Sequence, residues 1–553
     1  MDLSVLTKVI MGPGAIVTAV CFVVTTYLLQ AIYRLYRVRT FYRNKPGPPH
    51  SFLWGHLKVI GEIAAKMPPN MHPQALYTEI ARVYDLEDIF YLDLWPVGPP
   101  SVVLSNPELS DQVSVAERLP QHTVAEEFVS RIVGPNVIAT VNGPIWKKLH
   151  TAMSPAFSWS HIRSLTDLIV DECQLFRKAL DEKARTGEVF SFEDLGAKLI
   201  FDVIARVVFN VPLNAQTSGS SYFDDLRELV HFADAQTDIT LMLNPIKQLK
   251  NKWRKHKILR RLNPSIMAKI NERLALLRSE SVVPSRKDPN SILDLMLREY
   301  AQASKEGKQI FDKNGELPPA EAELLLTNIK GLLLGGHGTT NDTLCYIYML
   351  LSKAPHVVDK IRQEHDTVFG PSIDLTFEKL VEAPELLQSL PYTDAVIKET
   401  LRLFPVGFGS KEAGPGASLT YKGETMPIDN HLAISVNALD IHYNEKYFPS
   451  PQEFTPERWL DPDNEIPRSY FRTFGRGHRA CLGQNMATNE LKIILVATIR
   501  EYDFQCAGLE PNAQPKTLHT GLDTIYGDII FQELGMEAKP RGGMMMTVKK
   551  REL

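Results

Sequence analysis

The sequence predicts a mainly α-helical protein that is held at a membrane by its first helix. Two observations lead to this fold class. Residues 15–33 form a run of nineteen uncharged, largely apolar residues near the N-terminus. Farther along, residues 317–353 and 482–499 carry apolar side chains in the pattern of buried helices.

The composition is that of an ordinary globular protein. The chain has 553 residues, of which 44% are hydrophobic and 23% charged, with a net charge of -4. This balance argues against nucleic-acid binding, which usually needs a basic surface. Five scattered cysteines do not form a disulfide framework and fit a reducing compartment: Cys21, Cys173, Cys345, Cys481 and Cys506. Length alone would suggest two or three domains, but no linker, repeat or low-complexity tract divides the chain.

The N-terminal apolar run is predicted to be an uncleaved membrane anchor. As a helix it would be about 28 Å long, close to the hydrocarbon thickness of a bilayer. Basic residues follow it, which places the rest of the chain in the cytosol by the positive-inside rule: Arg34, Arg37, Arg39, Arg43 and Lys45. A cleaved signal peptide is the alternative, but its apolar core is usually shorter and its charges precede that core.

Two later segments also concern the membrane. Lys45-Pro46-Gly47-Pro48-Pro49 is stiff and extended, and it either fixes the pose of the following domain or is a plain linker. Leu241-Met242-Leu243 precedes a basic run over residues 247–261 that includes Trp253. This run predicts either contact with an anionic membrane surface or a solvated helix face.

A cysteine lies in a glycine- and arginine-rich loop, where residues 474–483 read Phe-Gly-Arg-Gly-His-Arg-Ala-Cys-Leu-Gly. Cys481 precedes a predicted helix, and the helix N-terminus and nearby guanidinium groups favour its thiolate. Gly475, Gly477 and Gly483 would let a flat ligand approach the backbone. The four ligands of a zinc site and the Gly-Lys-Ser/Thr of a phosphate loop are missing. A haem-iron ligand and a buried small hydrophobe both stay open at this point.

Four motifs together resemble those of the cytochrome P-450 monooxygenases. The haem-binding signature Phe-x-x-Gly-x-Arg-x-Cys-x-Gly is matched by Phe474, Gly477, Arg479, Cys481 and Gly483. Glu399-Thr400-Leu401-Arg402 resembles the family's K-helix motif, and residues 454–459 resemble the segment that supplies a second arginine, Arg458. Residues 335–340, Gly-Gly-His-Gly-Thr-Thr, resemble the oxygen-binding stretch of the I helix. The resemblance extends from about Pro46 to the C-terminus.

This resemblance implies one large haem domain over residues 46–553, mostly α with a minor β portion, after an anchor and basic flank over residues 1–45. Haem b would lie between the 317–353 helix and the cysteine loop. Cys481 would be the axial thiolate ligand of the haem iron. Thr339 would assist proton delivery and O–O cleavage, and Gly335 and Gly336 would make room for O2. Because a glycine-rich run weakens a helix, we expect the helix to open there.

The family also implies cationic or donor partners for the haem propionates. The expected cofactor-binding residues are Trp146, His150, Gly335, Gly336, Lys411, Phe474, Gly477, Arg479 and Gly483. His150 stands where the family's C helix usually has arginine, so its charge would depend on pH. Lys411 stands where many members have a propionate-binding arginine, and it would act as a point charge.

Position 338 departs from the family pattern, because Gly338 replaces the acid that usually precedes the threonine. Asp342, water or a substrate hydroxyl are the expected substitutes in proton delivery. The departure keeps an isomerisation, a dehydration or a peroxide-driven step open. Glu399, Arg402 and Arg458 are expected to form a buried structural charge triad.

The expected reaction inserts one oxygen atom of O2 into a lipophilic small molecule, in fungal polyketide or terpenoid metabolism. Fatty-acid, sterol or xenobiotic hydroxylation, a haem-thiolate isomerase or dehydratase, and a non-catalytic haem-binding protein are the alternatives. Residues 118–140, 225–245, 405–412 and 520–530 are expected to shape the substrate pocket.

Electrons are expected from a separate protein. Lys147, Lys148, Arg476 and Arg479 are expected to form a basic face that attracts an acidic donor. The chain ends too soon after Cys481 for a fused flavoprotein, and it has no clear dinucleotide fingerprint. The expected donor is an NADPH–cytochrome reductase flavoprotein, with a b-type cytochrome as an alternative. The expected location is the endoplasmic reticulum membrane, with a single span and a cytosolic catalytic domain.

Overall fold

The computed structural model describes residues 13–235, 244–279, 283–287, 289–306, 311, 316–429, 431–463 and 465–552. The α-helices are α1 Pro13–Tyr42, α2 Leu57–Ala64, α3 Pro73–Val83, α4 Pro107–Asp111, α5 Thr123–Val133, α6 Gly143–Met153, α7 Trp159–Ser164, α8 Thr166–Thr186, α9 Phe192–Phe209, α10 Ser221–Ala235, α11 Pro245–Ser279, α12 Ile292–Lys305, α13 Pro319–Leu351, α14 Pro355–Phe369, α15 Ile373–Glu382, α16 Pro391–Leu403, α17 Ala438–His442, α18 Gln484–Thr498 and α19 Asp523–Tyr526. The expected mainly α architecture is confirmed.

The minor β portion is also confirmed. The strands are β1 Ile89–Leu92, β2 Ser101–Leu104, β3 Phe190–Ser191, β4 Ser410–Lys411, β5 Ser418–Tyr421, β6 Glu424–Pro427, β7 Ala433–Val436, β8 Tyr502–Cys506, β9 Glu533–Leu534, β10 Ala538–Lys539 and β11 Met545–Lys550. A four-stranded sheet has the order β1-β2-β7-β4, in which only β2 and β7 run parallel. A three-stranded sheet has the order β3-β11-β8, and β5-β6 and β9-β10 are hairpins.

Helix α1 is the candidate membrane helix among the described residues. Its segment Val17–Tyr42 is long and apolar enough to cross a bilayer, and its most apolar window is not buried against the rest of the chain. Large side chains on it, such as Phe22 and Leu29, are exposed. Length and composition give this result, and an N-terminal signal sequence would satisfy the same test.

The far end of α1 is attached to the catalytic part of the chain. Arg39 is 1% exposed and forms an ion pair with the fully buried Asp93 at 2.5 Å. It also donates hydrogen bonds to carbonyl groups that include that of Trp95, at 3.1 Å. The proline-rich segment follows, and its Pro46 carbonyl accepts a hydrogen bond of 2.8 Å from the Tyr91 amide on β1. This segment therefore packs against the domain and is not a loose linker.

Helix α13 runs through the centre of the molecule. It packs most extensively on α9 and also contacts α16 and α18. Its second half is buried from Thr340 to Leu351. Because this half is apolar on nearly all sides, it buries its apolar surface fully only inside the core. The sequence predicted this element within two residues at each end.

The glycine-rich stretch does not open α13, which corrects that expectation. The helix is continuous through residues 335–340. A Cβ atom at Gly336 would lie 2.6 Å from Cγ1 of Ile204 on α9, so the missing side chain permits a close helix–helix approach. This packing offsets the low helix propensity of glycine.

The basic run belongs to α11. Part of it is engaged in ion pairs with α10, because Arg254 pairs with Glu228 at 3.0 Å and Arg261 pairs with Asp225. Ile246, Leu249 and Trp253 are exposed on the same helix. Leu241-Met242-Leu243 lie outside the described residues. Membrane contact by this region stays a prediction.

Candidate haem site and a neighbouring cavity

Cys481 lies in a tight loop just before α18. Its amide donates to the Phe474 carbonyl at 2.8 Å, which closes the loop across the signature. The side chain keeps solvent access, yet the surrounding loop desolvates the sulfur and raises the pKa of the thiol. The backbone N–H groups of Gly483 and Gln484 oppose this by lowering that pKa. The helix start thus favours the thiolate as expected, but it does not outweigh desolvation.

The guanidinium groups do not help Cys481, in contrast to the expectation. Arg479 donates to the Val141 carbonyl at 2.6 Å and to Asn142 Oδ1 at 2.7 Å. Arg476 pairs with Asp111 at 3.2 Å. Both side chains are directed to other parts of the fold, which the spacing along the chain could not reveal.

Gly477 and Gly483 in the cysteine loop are explained by different features of the packing. Gly477 has a φ of 77°, and a Cβ atom there would lie inside contact distance of the Ser114 carbonyl, so a side chain does not fit. At Gly483 the nearest atom to an added Cβ would be Cys481 Sγ at 3.8 Å. Close packing against residue 114 therefore explains Gly477, while Gly483 leaves space beside the sulfur. The expected role of Gly477 and Gly483 beside a flat ligand stays a prediction.

Three aromatic side chains, of Trp146, His150 and His478, cluster beside Arg479. Its guanidinium lies 4.4 Å from the ring centre of Trp146 on α6. The Trp146 ring contacts the His150 ring at 4.8 Å and the His478 ring at 5.2 Å, measured between centroids. The structure thus brings Trp146, His150 and Arg479 together as the resemblance implied, and it adds His478.

Lys411 on β4 belongs to the same group. Burial, and then the charge of Arg479, lowers the pKa of Lys411 to about 8. Burial also lowers the pKa of His478, and the charges of Arg479, Lys411, Arg118 and His150 lower it further. Mutual repulsion of this kind is relieved when an anion binds among the groups.

The donor set fits the carboxylates of a haem. Arg479 Nε and His478 Nδ1 are buried and have no hydrogen-bond partner among the described residues. Unsatisfied buried donors are costly, so they mark a place for an acceptor. A cysteine sulfur, a space beside Gly483 and this cationic cluster together match the thiolate, flat ring and propionates of haem b.

On α13, Thr339 Oγ1 donates to the Gly335 carbonyl at 3.0 Å. This one-turn bond is the ordinary state of a helical threonine, so its proposed proton role stays a prediction. No atom lies within 4 Å of a Cβ added at Gly335, whereas Gly336 faces Ile204. Gly335 therefore borders open space, whereas close packing against Ile204 explains why residue 336 is a glycine.

A cavity of about 430 Å³ adjoins α13 at Leu334, His337, Gly338, Asn341 and Asp342, and neither Gly335 nor Thr339 is in its lining. Arg227, Val230 and His231 of α10 line it, within the predicted 225–245 range. Met536 and Glu537 also line it, from the turn between β9 and β10 and beyond the predicted 520–530 range. The hairpin therefore borders this cavity, whereas the predicted 520–530 segment contributes no residue to its lining.

The buried charge triad is confirmed. Glu399 and Arg402 are both fully buried and form two hydrogen bonds of 2.9 Å. Arg458 Nε donates to Glu399 at 3.0 Å, and so does the indole of Trp459, which the sequence did not reveal. The triad ties α16 to the segment before the cysteine loop.

The expected basic face is only partly free. Lys148 pairs with Glu321 at 2.8 Å, Arg476 pairs with Asp111, and Arg479 is turned inward. Lys147 is exposed. A four-residue basic face is therefore not what the structure presents, because three of these charges already have partners within the fold.

Comparison with known proteins gives the class of this fold and site. The family profile described as "Cytochrome P450", written cytochrome P-450 here, matches residues 45–525. The chain is 31% identical over 526 residues to cytochrome P-450 monooxygenase polC of Polytolypa hystricis, covering 92% of each. It is 30% identical to acrF of Aspergillus aculeatus, over 89% of this chain and 100% of that one, and 27% identical to ptmG of Penicillium ochrochloron, over 94% and 92%.

The chain therefore belongs to the cytochrome P-450 family. It is a monooxygenase and thus an oxidoreductase, and family membership implies a haem-thiolate cofactor. Sequence reasoning missed His478 and Glu537 as neighbours of the site, and it included Arg118 only as the first residue of the 118–140 pocket range. His478 could have been predicted because it lies inside the haem-binding signature. Arg118 and Glu537 belong to no sequence motif that would mark them.

Proposed function

We propose that this enzyme inserts one atom of O2 into a lipophilic small molecule, as a tailoring step on a polyketide or terpenoid of fungal secondary metabolism. The observation that carries the proposal is the signature around Cys481 together with two buried nitrogen atoms that have no hydrogen-bond partner among the described residues, the donor Arg479 Nε and the ring nitrogen His478 Nδ1. Fungal monooxygenases at about 30% identity over nearly the whole chain support the same conclusion.

In this proposal the Cys481 thiolate would hold the haem iron, and Arg479, Trp146, His150 and Lys411 would hold the propionates. Haem, when bound, supplies the activation of O2. Phe474, Gly477 and Gly483 form the loop that supports the ligand. Gly335 leaves space on the distal side, and Gly336 lets α9 approach α13.

Electrons come from a separate NADPH-dependent flavoprotein, or from a b-type cytochrome, since monooxygenation needs an external reductant. The proposed location is the endoplasmic reticulum membrane, with residues 1–45 as anchor and basic flank, α1 as the single span within them, and the catalytic domain, residues 46–553, in the cytosol. The exposed apolar side chains of α1 and the basic residues that follow the apolar run of residues 15–33 support this topology.

The test is mass spectrometry of small molecules from the source organism with and without this gene. We expect a lost product and an accumulated precursor that differ by one oxygen atom. Re-expression of the wild-type chain should restore the product, whereas Cys481→Ser should not. A pair of isomers, or a pair that differs by water, would contradict the proposal and favour an isomerase or dehydratase.

A further inference from the structure

A carboxyl group from the C-terminal hairpin occupies the space that a side chain at position 338 would take. A Cβ atom built on Gly338 would lie 2.5 Å from Glu537 Oε1 and 3.1 Å from Glu537 Cδ. Gly338 directly precedes Thr339 on α13. The glycine therefore lets an acid that is distant in sequence reach the helical turn that carries Thr339.

A second acid lies one turn farther along α13. Asp342 is 3% exposed, and its Oδ2 has no hydrogen-bond partner among the described residues. Burial, followed by the negative charges of Glu537 and Glu193, raises the pKa of Asp342 well above its usual value, while Lys539 lowers it. Two carboxyl groups that repel each other in a buried place favour a shared proton over two negative charges.

Both acids border the cavity beside α13, and this cavity reaches solvent. Gly338, Asn341, Asp342 and Glu537 line its inner part. Exposed side chains of α10, Asp224, Arg227 and His231, line its outer part. Water can therefore reach the acid pair through this cavity. Elsewhere, α13 is buried in the core from Thr340 to Leu351.

We propose that Glu537, together with Asp342, is the proton relay that serves Thr339 in this enzyme. The relay rests on the monooxygenase reaction, which consumes two electrons and two protons for each O2. One oxygen atom enters the substrate and the other leaves as water. The electrons come from the external donor, and the protons pass from cavity water to the acid pair and then to the Thr339 hydroxyl. Each carboxylate regains its proton from cavity water.

Infrared spectroscopy of the purified, haem-loaded full chain tests the acid pair without any substrate. At neutral pH we expect a C=O stretching band of a protonated carboxyl group. Asp342→Asn should remove this band and Glu537→Gln should shift it. Glu533→Gln is the matched control on the same hairpin, because Glu533 pairs with Arg541 at 3.0 Å, and it should leave the band unchanged. A wild-type chain without the band, or a band unaffected by Glu537→Gln, would overturn the proposal.

Coupling then tests the relay itself, measured as product formed per NADPH consumed. Positioned proton transfer typically contributes ~10²–10⁴-fold, so Glu537→Gln should lower coupling by ~10-fold or more, with peroxide released instead. Glu533→Gln should retain wild-type coupling. The solvent deuterium isotope effect on coupling should also change in Glu537→Gln, which a purely structural role would not produce.

A variant that moves the carboxyl group from the hairpin to α13 distinguishes a role in proton transfer from a role in folding. Gly338→Asp alone would place its side chain against Glu537 and should lower coupling. Gly338→Asp combined with Glu537→Ala returns a carboxyl group to the same space from α13 and should recover coupling relative to Glu537→Ala. Failure of this recovery refutes the relay. The infrared result is independent of substrate identity, so it stands even if the proposed substrate class is wrong.

Discussion

Glu399 is the residue whose loss should most weaken the support behind the cysteine loop. Its carboxylate accepts hydrogen bonds from Nε and Nη2 of Arg402 and from Nε of Arg458. It also accepts from the Trp459 indole and the Thr455 amide. Arg402 is fully buried and also donates to the His442, Pro451 and Glu453 carbonyls. In Glu399→Gln, the same shape remains, but two guanidinium groups lose their counter-charge.

The expected cost follows from this burial. Removing one partner of a buried ion pair typically costs ~3–5 kcal/mol, because the remaining charge is left uncompensated. Folded proteins are stable by only about 5–15 kcal/mol, so this single change removes a large share of the free energy of unfolding. Glu457→Gln is the matched control two residues from Thr455. Its ion pair with Lys360 is about half exposed, and such pairs contribute ~1 kcal/mol or less.

The assay is urea unfolding of the detergent-solubilised, haem-loaded full chain, followed through haem absorbance and tryptophan fluorescence. We expect the midpoint of Glu399→Gln to fall far below that of Glu457→Gln, with haem released at the same urea concentration. If the two variants unfold at the same midpoint, the triad does not stabilise the fold and the reasoning fails. If Glu399→Gln loses haem while the fold stays intact, the triad supports only the loop.

Three further predictions concern the site and the core. Cys481→Ser should abolish the absorption spectrum of thiolate-ligated haem while circular dichroism stays that of a helical fold. Gly336→Val should lower thermal stability, since its side chain would collide with Ile204, and Ile204→Ala in the same chain should recover part of the loss. Burial, and then the charge of Arg500, lowers the pKa of His365 to about 3 from its usual 6.5. Below pH 6.5, His365 is protonated in the unfolded chain but stays neutral in the folded chain, so the free energy of unfolding falls as the pH falls toward 3. His365→Gln should make this fall less steep in an acid titration followed by circular dichroism.

Motifs predicted the helices that carry the site. The 317–353 pattern matches α13, and the helix after Cys481 was expected because apolar residues recur there at the helical period. The Glu399–Arg402 pair was also within reach, since residues three apart share one helix face. The expected opening at residues 335–340 was wrong, and Ile204 packs where Gly336 leaves space.

Local pattern therefore determined the family, the central helix, the candidate anchor and the cysteine loop, since each rests on residues close together along the chain. Tertiary structure decided the direction in which side chains point. It turned Arg479 toward Val141, gave Lys411 and His478 a shared cationic environment, and placed Glu537 against Gly338. Charges and carboxyl groups act through distance in space, and folding brings together residues whose separation in sequence carries no periodic signal.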